Sequence, residues 1–292
     1  MMQRAKLAVI GGTGVYDMAA LQDVEVVSLQ TPYGPPSDDI HVGTLEGVRV
    51  AFLARHGKGH RLLPAEVPYR ANIWALKSLG VERILSVSAC GSMKEDYAPG
   101  DIVIPAQLVD RTQGRPGTFF GNGLVAHISF AEPFCPTLSK ALYEAARNAG
   151  GRVHFGGAYL IIEGPRFSSR AESLIYRQWG VDIIGMTAIP EAQLAREAEM
   201  CYALMAHVTD YDCWHTTEEA VSVELVIKTL QRNALLARQT ISLLMKELAA
   251  GRHAGSCECA NALQQALLTP LDLVPEATKV MLQPIIAKYL PA

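Results

Sequence analysis

Between Leu7 and Leu248 the chain alternates short apolar runs with stretches whose apolar residues recur at helical spacing. That alternation builds an α/β sheet covered by helices on both faces. Leu7 to Ile10 reads as a buried strand that turns at Gly11-Gly12-Thr13-Gly14, and Val24 to Leu29 and Val48 to Leu53 read as further strands. From Pro68 to Leu79, Ile73, Leu76 and Leu79 keep helical spacing, with Pro68 suited to the first turn and Gly80 to the stop. Downstream, strands are expected over Arg83 to Ala89, Ile102 to Ile104, Leu108 to Val109, Ala158 to Ile162, Ile183 to Met186 and Cys201 to Thr209. Helices are expected over Pro136 to Ala149, Ser169 to Gln178, Pro190 to Glu199 and Val223 to Leu248. The last carries an apolar stripe from Val226 through Ile241 to Leu248. No repeat or low-complexity linker divides the 292 residues, so one α/β domain is expected. The tail, punctuated by Pro270, Pro275 and Pro284, reads as a helical extension over 251–292 packed on a domain of 1–250.

Hydrophobic residues make up 49% of the chain and charged ones 19%, enough apolar surface to build a core against chain entropy. A net charge of -3 and the lack of a dense Lys/Arg run argue against a nucleic-acid partner. The apolar segment after Lys6 is too short for a signal peptide, and no run approaches the roughly 20 residues of a membrane span. A cytoplasmic location with no membrane partner is expected. Six cysteines, Cys90, Cys135, Cys201, Cys213, Cys257 and Cys259, are too sparse for a small secreted disulfide scaffold. Most are expected as buried thiols, with structural disulfides as the alternative. Cys257-Glu258-Cys259 lies in a Gly/Ser/Ala-rich stretch where it could be exposed and redox-active or bridged. Its spacing is too short for the usual zinc pattern and no second Cys/His pair follows, so no metal is expected.

Ligands of open α/β sheets gather beyond the carboxyl ends of strands. At the first such end, the backbone N–H groups from Gly11 onward and the Thr13 hydroxyl can converge on an anion. A dinucleotide fingerprint starting at Gly12 would need Gly or Ala where Asp17 stands, and the Gly-Lys-Ser/Thr of a P-loop is absent, so free phosphate fits better. Glycines after a strand are also plain turns. Arg55-His56-Gly57 offers a planar fork and an imidazole donor, against the plainer reading of a surface Arg and a capping His. Ser88-Ala89-Cys90-Gly91-Ser92 and Met186-Thr187 end two more strands, and the four ends would enclose one oxyanion if the strands are neighbours. Asp210 and Asp212 stand two residues apart where an apolar run ends. They can read donors on a flat heterocycle and hand it a proton; the bland alternative is a solvated Asx-turn.

These motifs together carry a resemblance: GGTG at Gly11, LARHG at Leu53, NIWALK at Asn72, ACGS at Ala89, AEPFCP at Ala131, IEGPRFSSRAES at Ile162 and TDYDCW at Thr209. In this order the chain resembles the 5'-methylthioadenosine phosphorylases of the purine nucleoside phosphorylase superfamily, from about Leu7 to Leu248. The tail with Cys257 and Cys259 is similar to the C-terminal extension of microbial members. The resemblance implies a single-domain nucleoside phosphorylase fold, a central mixed β-sheet flanked by helices. It implies phosphorolysis of 5'-methylthioadenosine to adenine and 5-methylthioribose 1-phosphate in purine and methionine salvage, with phosphate as co-substrate and no cofactor. Phosphate would be held by Gly11, Thr13, Arg55, His56, Ser88, Ala89 and Thr187. Met186 would meet the ribose and Phe167 would stack on the base. Asp210 would protonate N7, and Asp212 would accept from the 6-amino group, with Ser168 as the other specificity position.

Carried over in the same way, Val223, Val226 and Ile227 would form an apolar wall for the thiomethyl group, although their periodicity equally fits plain core packing. His127 would reach a neighbouring subunit's site, making the protein a trimer or a dimer of trimers. The alternatives are a broader purine nucleoside or 5'-methylthioinosine phosphorylase, a hydrolytic nucleosidase, and a non-catalytic nucleoside-binding module.

Overall fold

The structure is a computed structural model that describes residues 5–12, 20–217, 221–252 and 257–290. The chain begins with β1 (Leu7–Gly11), β2 (Gln22–Val27), β3 (Ile40–Leu45) and β4 (Val48–Ala54), then α1 (Tyr69–Ser78). β5 (Arg83–Ser92), β6 (Ile102–Ile104), β7 (Gln107–Arg111) and α2 (Pro136–Asn148) follow. Next come β8 (Val153–Phe155), β9 (Ala158–Ile162), α3 (Arg170–Gln178), β10 (Ile183–Gly185) and α4 (Ala188–Glu197). The chain closes with β11 (Cys201–Asp210), the long α5 (Val223–Ala249) and α6 (Glu276–Ile286).

β5 organises the sheet. It pairs parallel with β1 and with β11, while its last residues, Gly91 and Ser92, pair antiparallel with β10. The order β2-β3-β4-β1-β5-β10-β9-β7 therefore branches at β5, where β11 leads on to β6 and β8. The sheet is mixed and flanked by helices, as expected. Alternation along each central strand feeds two cores. Ala8 and Ile10 of β1 and Tyr202, Leu204 and Ala206 of β11 face α1, α4 and α6. Leu7 and Val9, with Ala203 and Met205, face α2 and α5.

The differences from expectation have local causes. β3 escaped notice because its run, Ile40–Leu45, is interrupted by His41 and Gly43. Gly43 is there because a Cβ would meet Leu21 Cγ at 2.5 Å. The three-residue β8 is too short to carry a period. β5 continues past Ala89 to Ser92 because β10 and β11 supply partners to its small residues. The tail packs on the α1 face: Trp74 Nε1 donates to the Met281 carbonyl at 2.9 Å, and Leu282, Ile285 and Ile286 are buried there. Glu199 pins the same tail by accepting from Leu263 N at 2.9 Å and Tyr289 OH at 2.6 Å and pairing with Lys288 at 2.7 Å.

A buried ion pair ties the strand ends together. Arg55, one residue past β4 and only 2% exposed, donates from Nε and Nη2 to the two oxygens of Glu191 on α4 at 2.9 and 3.0 Å. Nη2 also reaches Ser86 Oγ at 2.6 Å, and Nη1 reaches the Val87 carbonyl at 3.0 Å, both on β5. Ser86 Oγ and the Tyr202 hydroxyl of β11 each lie 2.8 Å from the same Glu191 Oε1. Burial works against the charge of Arg55, but Glu191 outweighs it and raises the guanidinium's pKa. Removing one partner of such a pair strands the other without water. Glu191→Ala is therefore expected to destabilise the fold by about 3–5 kcal/mol; an unchanged midpoint in urea unfolding would refute that.

Candidate active site

The carboxyl ends of β4, β5 and β11, with the residues after β10, open onto one cavity of about 520 Å³. Arg55, His56, Ser88, Ala89, Phe167, Met186, Thr187, Asp210, Asp212, Val223, Val226 and Ile227 all line it, so twelve of the residues singled out in the sequence meet in one place. Gly12 borders the cavity, while Gly11 sits one residue back, its carbonyl accepting from Arg55 N at 3.0 Å. Thr13 lies outside the described residues. Ser168 lines an adjoining crevice with Glu163 and Arg166. His127 is exposed on a loop away from this cavity, held by its N–H to the Ala266 carbonyl at 2.9 Å.

At one end of the cavity the oxygens of Ser88 and Thr187 lie 3.2 Å apart, and the Ser88 hydroxyl donates to the Ala89 carbonyl at 3.1 Å, so it must rotate to donate to an anion. Arg55 stands behind them, and here the structure corrects the sequence reading. The bidentate fork expected on phosphate is taken by Glu191, whose carboxylate largely balances the guanidinium charge. His56 is corrected likewise. Its Nδ1 donates to the Leu62 carbonyl at 2.9 Å, leaving Nε2 as an acceptor. Burial, reinforced by the charge of Arg55, lowers its pKa to about 4, so the ring is neutral near pH 7.

The two acids stand on a distortion of β11. Its register against β5 shifts between Val208 and Asp210, a bulge that turns the strand end into the cavity. Asp210 is buried; its Oδ2 accepts from Thr209 Oγ1 at 2.6 Å and its Oδ1 from Asp212 N at 2.7 Å. Desolvation raises its pKa to about 6, against the pull of those two hydrogen bonds. Asp212 adopts the left-handed conformation, φ 52°, which Asp and Asn tolerate better than most residues. Burial raises its pKa as well. Gly91 makes room for the pair, since a Cβ there would sit 2.9 Å from Asp210 Oδ1 and 3.0 Å from Ile184 Cγ2. Trp214 anchors the turn by donating from Nε1 to the Ser92 carbonyl at 2.7 Å.

Phe167 is presented by the start of α3. The Ser169 hydroxyl accepts from Glu172 N at 3.3 Å while Ser169 N donates to Glu172 Oε2 at 2.7 Å, a complete capping box. Arg166 pairs with both Glu172 oxygens at 2.7 Å. Arg115 escaped sequence reasoning. It is buried and donates to the Met186, Ile189 and Glu163 carbonyls at 2.7, 2.8 and 2.6 Å, fixing the loop that carries Met186 and Thr187. Its only sequence signal was an Arg inside the Gly/Pro-rich run Gln113 to Gly117. At the far end, the first turns of α5 expose Val223 (63%) and Ile227 (50%). They are wall rather than core, which decides against plain packing for this part of the helix.

An α/β domain with an oxyanion-ready wall and a pair of buried acids is of the phosphorylase kind. The model of the Phosphorylase superfamily matches residues 6–246. The S-methyl-5'-thioadenosine phosphorylase of Gloeobacter violaceus is 55% identical over 292 residues, covering 98% of this chain and 96% of that protein. That of Geobacter sulfurreducens is 53% identical over 284 residues, covering 97% and 98%. Among solved structures, a methylthioadenosine phosphorylase from an antarctic soil metagenomic library superposes with a TM-score of 0.93 at 51% identity, covering 99% of this chain and 100% of the other. The Schistosoma mansoni methylthioadenosine phosphorylase in complex with adenine gives 0.82 at 37% identity, covering 96% and 98%. The chain belongs to the phosphorylase superfamily and, within it, to the S-methyl-5'-thioadenosine phosphorylase family.

Asp210 ties stability to pH. Its pKa is raised from 3.8 to about 6, so the folded state keeps a proton that the unfolded state releases across that window. Stability is lost as pH rises through the window and stays lost above it. Asp210→Asn carries no such cost. It is expected to be more stable than the parent by on the order of 3 kcal/mol at pH ~8, with the difference vanishing near pH ~4. Thermal unfolding across pH checks this; a pH-independent difference would show that Asp210 does not titrate as described.

Proposed function

We propose that the protein catalyses phosphorolysis of 5'-methylthioadenosine, a pentosyl transfer to phosphate that yields adenine and 5-methylthioribose 1-phosphate. The observation that carries this reading is the buried Asp210, its pKa raised to about 6, sharing one cavity with the Ser88 and Thr187 hydroxyls and the Arg55 charge. A phosphate oxygen attacks C1' as the C1'–N9 bond breaks, and the anion's charge steadies the oxocarbenium character that develops on the sugar. Asp210, whose burial raises its pKa to about 6 so that part of the population carries a proton near neutral pH, gives that proton to N7 of the departing adenine and recovers one from solvent. Asp212 accepts from the 6-amino group and Phe167 stacks on the base, with Ser168 set behind it. Met186 lies against the ribose, and His56 Nε2 can take a hydrogen from monoprotonated phosphate or a ribose hydroxyl. Val223, Val226 and Ile227 present apolar surface suited to a thiomethyl group.

Turnover with and without phosphate tests the reaction. Adenine release should require phosphate, and equal release in its absence would mean hydrolysis. Asp212→Asn tests base recognition. An amide can turn either way, whereas a carboxylate only accepts, and Asn keeps the left-handed backbone. The ratio of kcat/KM for methylthioadenosine over methylthioinosine should fall by about 10-fold or more. An unmoved ratio would remove Asp212 from the 6-position.

The reading extends to location and assembly: a cytoplasmic trimer or dimer of trimers using no cofactor, with His127 completing a neighbour's pocket. Among the described residues no helix is long and apolar enough to cross a membrane. Light scattering on the active enzyme should give a multiple of three chains. A fully active monomer would refute the role of His127.

A further inference from the structure

Four of the six cysteines, far apart in the sequence, converge at the opposite end of the sheet from the cavity. Cys135 caps the N-terminus of α2, Cys201 opens β11, and Cys257 and Cys259 come from a short 3₁₀ turn over Glu258–Asn261. Their sulfurs all lie within 4.8 Å of one another, with Cys201 and Cys257 at 3.4 Å. We infer that Cys135, Cys201, Cys257 and Cys259 form a structural tetrathiolate site for Zn²⁺ that clasps the tail to the core.

Zinc bound by four thiolates at about 2.3 Å holds its sulfurs about 3.8 Å apart in a tetrahedron. The cluster spans that spacing, so small side-chain shifts complete the geometry. Every donor is a thiol, with no carboxylate or imidazole in the group, which selects a thiophilic metal over Mg²⁺ or Ca²⁺. Four protein ligands leave no open position, the arrangement of a structural rather than a catalytic zinc. Zn²⁺ with four thiolates carries a net charge of -2, and the surroundings favour that. Cys135 Sγ accepts from Leu138 N at 3.5 Å at the positive end of α2, and Arg83 lines the same small cavity. Cys135 and Cys259 are buried and Cys257 is half-buried, so of the two options for Cys257-Glu258-Cys259 full exposure does not hold. Spacing along the chain hides this cluster, because the other two cysteines lie upstream of Cys257 and Cys259, on two different elements.

Protein purified under reducing conditions, supplied with zinc and passed through gel filtration should retain one zinc per chain by elemental analysis. Cobalt in its place should give the intense red-region absorption and sulfur charge transfer of a tetrahedral thiolate complex. Cys257→Ser/Cys259→Ser should lose the metal and both absorptions, and its tail should be cut faster by protease, while phosphorolysis stays within about twofold because the cluster and Asp210 lie at opposite ends of β11. Fully reduced wild-type protein that retains no zinc overturns the inference. So does a cobalt spectrum unchanged in the double variant, or an intact mass showing these four cysteines paired as disulfides in protein isolated without reductant.

Discussion

The Arg55–Glu191 pair is the contact on which the cavity depends. Two charges taken out of water are tolerable only if every lone pair and hydrogen finds a partner. Here the partners come from β5 and β11, and α4 supplies the carboxylate. Satisfying the pair therefore fixes the relative positions of the strands whose ends form the anion wall. The guanidinium keeps its proton throughout the ordinary pH range, with Glu191 balancing its charge behind the wall.

The other end of the cavity works by the reverse logic. Asp210 is buried without a cation beside it, and desolvation lets it hold its proton up to about pH 6. One chain thus buries one ion fully compensated and one acid uncompensated, side by side, through the choice of neighbours. Gly91 and the bulge in β11 keep both arrangements compatible within a single sheet.

Much of this was legible in the residues. The buried strands announced themselves as apolar runs, and the strand ends bearing hydroxyls, Arg55 and the two acids did meet in one cavity. What could not be read was pairing across the fold. Nothing local distinguishes Glu191 from any acid in a helix, so the fork of Arg55 seemed free for a ligand. Arg115 looked like an ordinary loop residue because its three carbonyl partners are far away in sequence. β3 and β8 were hidden by an interrupting glycine in one case and by shortness in the other. The meeting of four cysteines could not be read because spacing rules measure the chain, whereas α2, β11 and the tail meet in space.

The long helix α5 divides its labour along its length. Its later turns, with Ala237, Ile241 and Met245, are core, while Val223 and Ile227 at its start are half or more exposed. Exchanging a core side chain usually costs stability, whereas exchanging an exposed one is close to neutral. The two ends of the binding cavity therefore differ in how freely a lineage can remodel them. The acid end is locked by a bulge, a left-handed residue and a glycine with no room for a methyl group. The helix end can drift in size and shape with little penalty to folding, so descendants of this chain can reshape that end of the cavity long before the acid end.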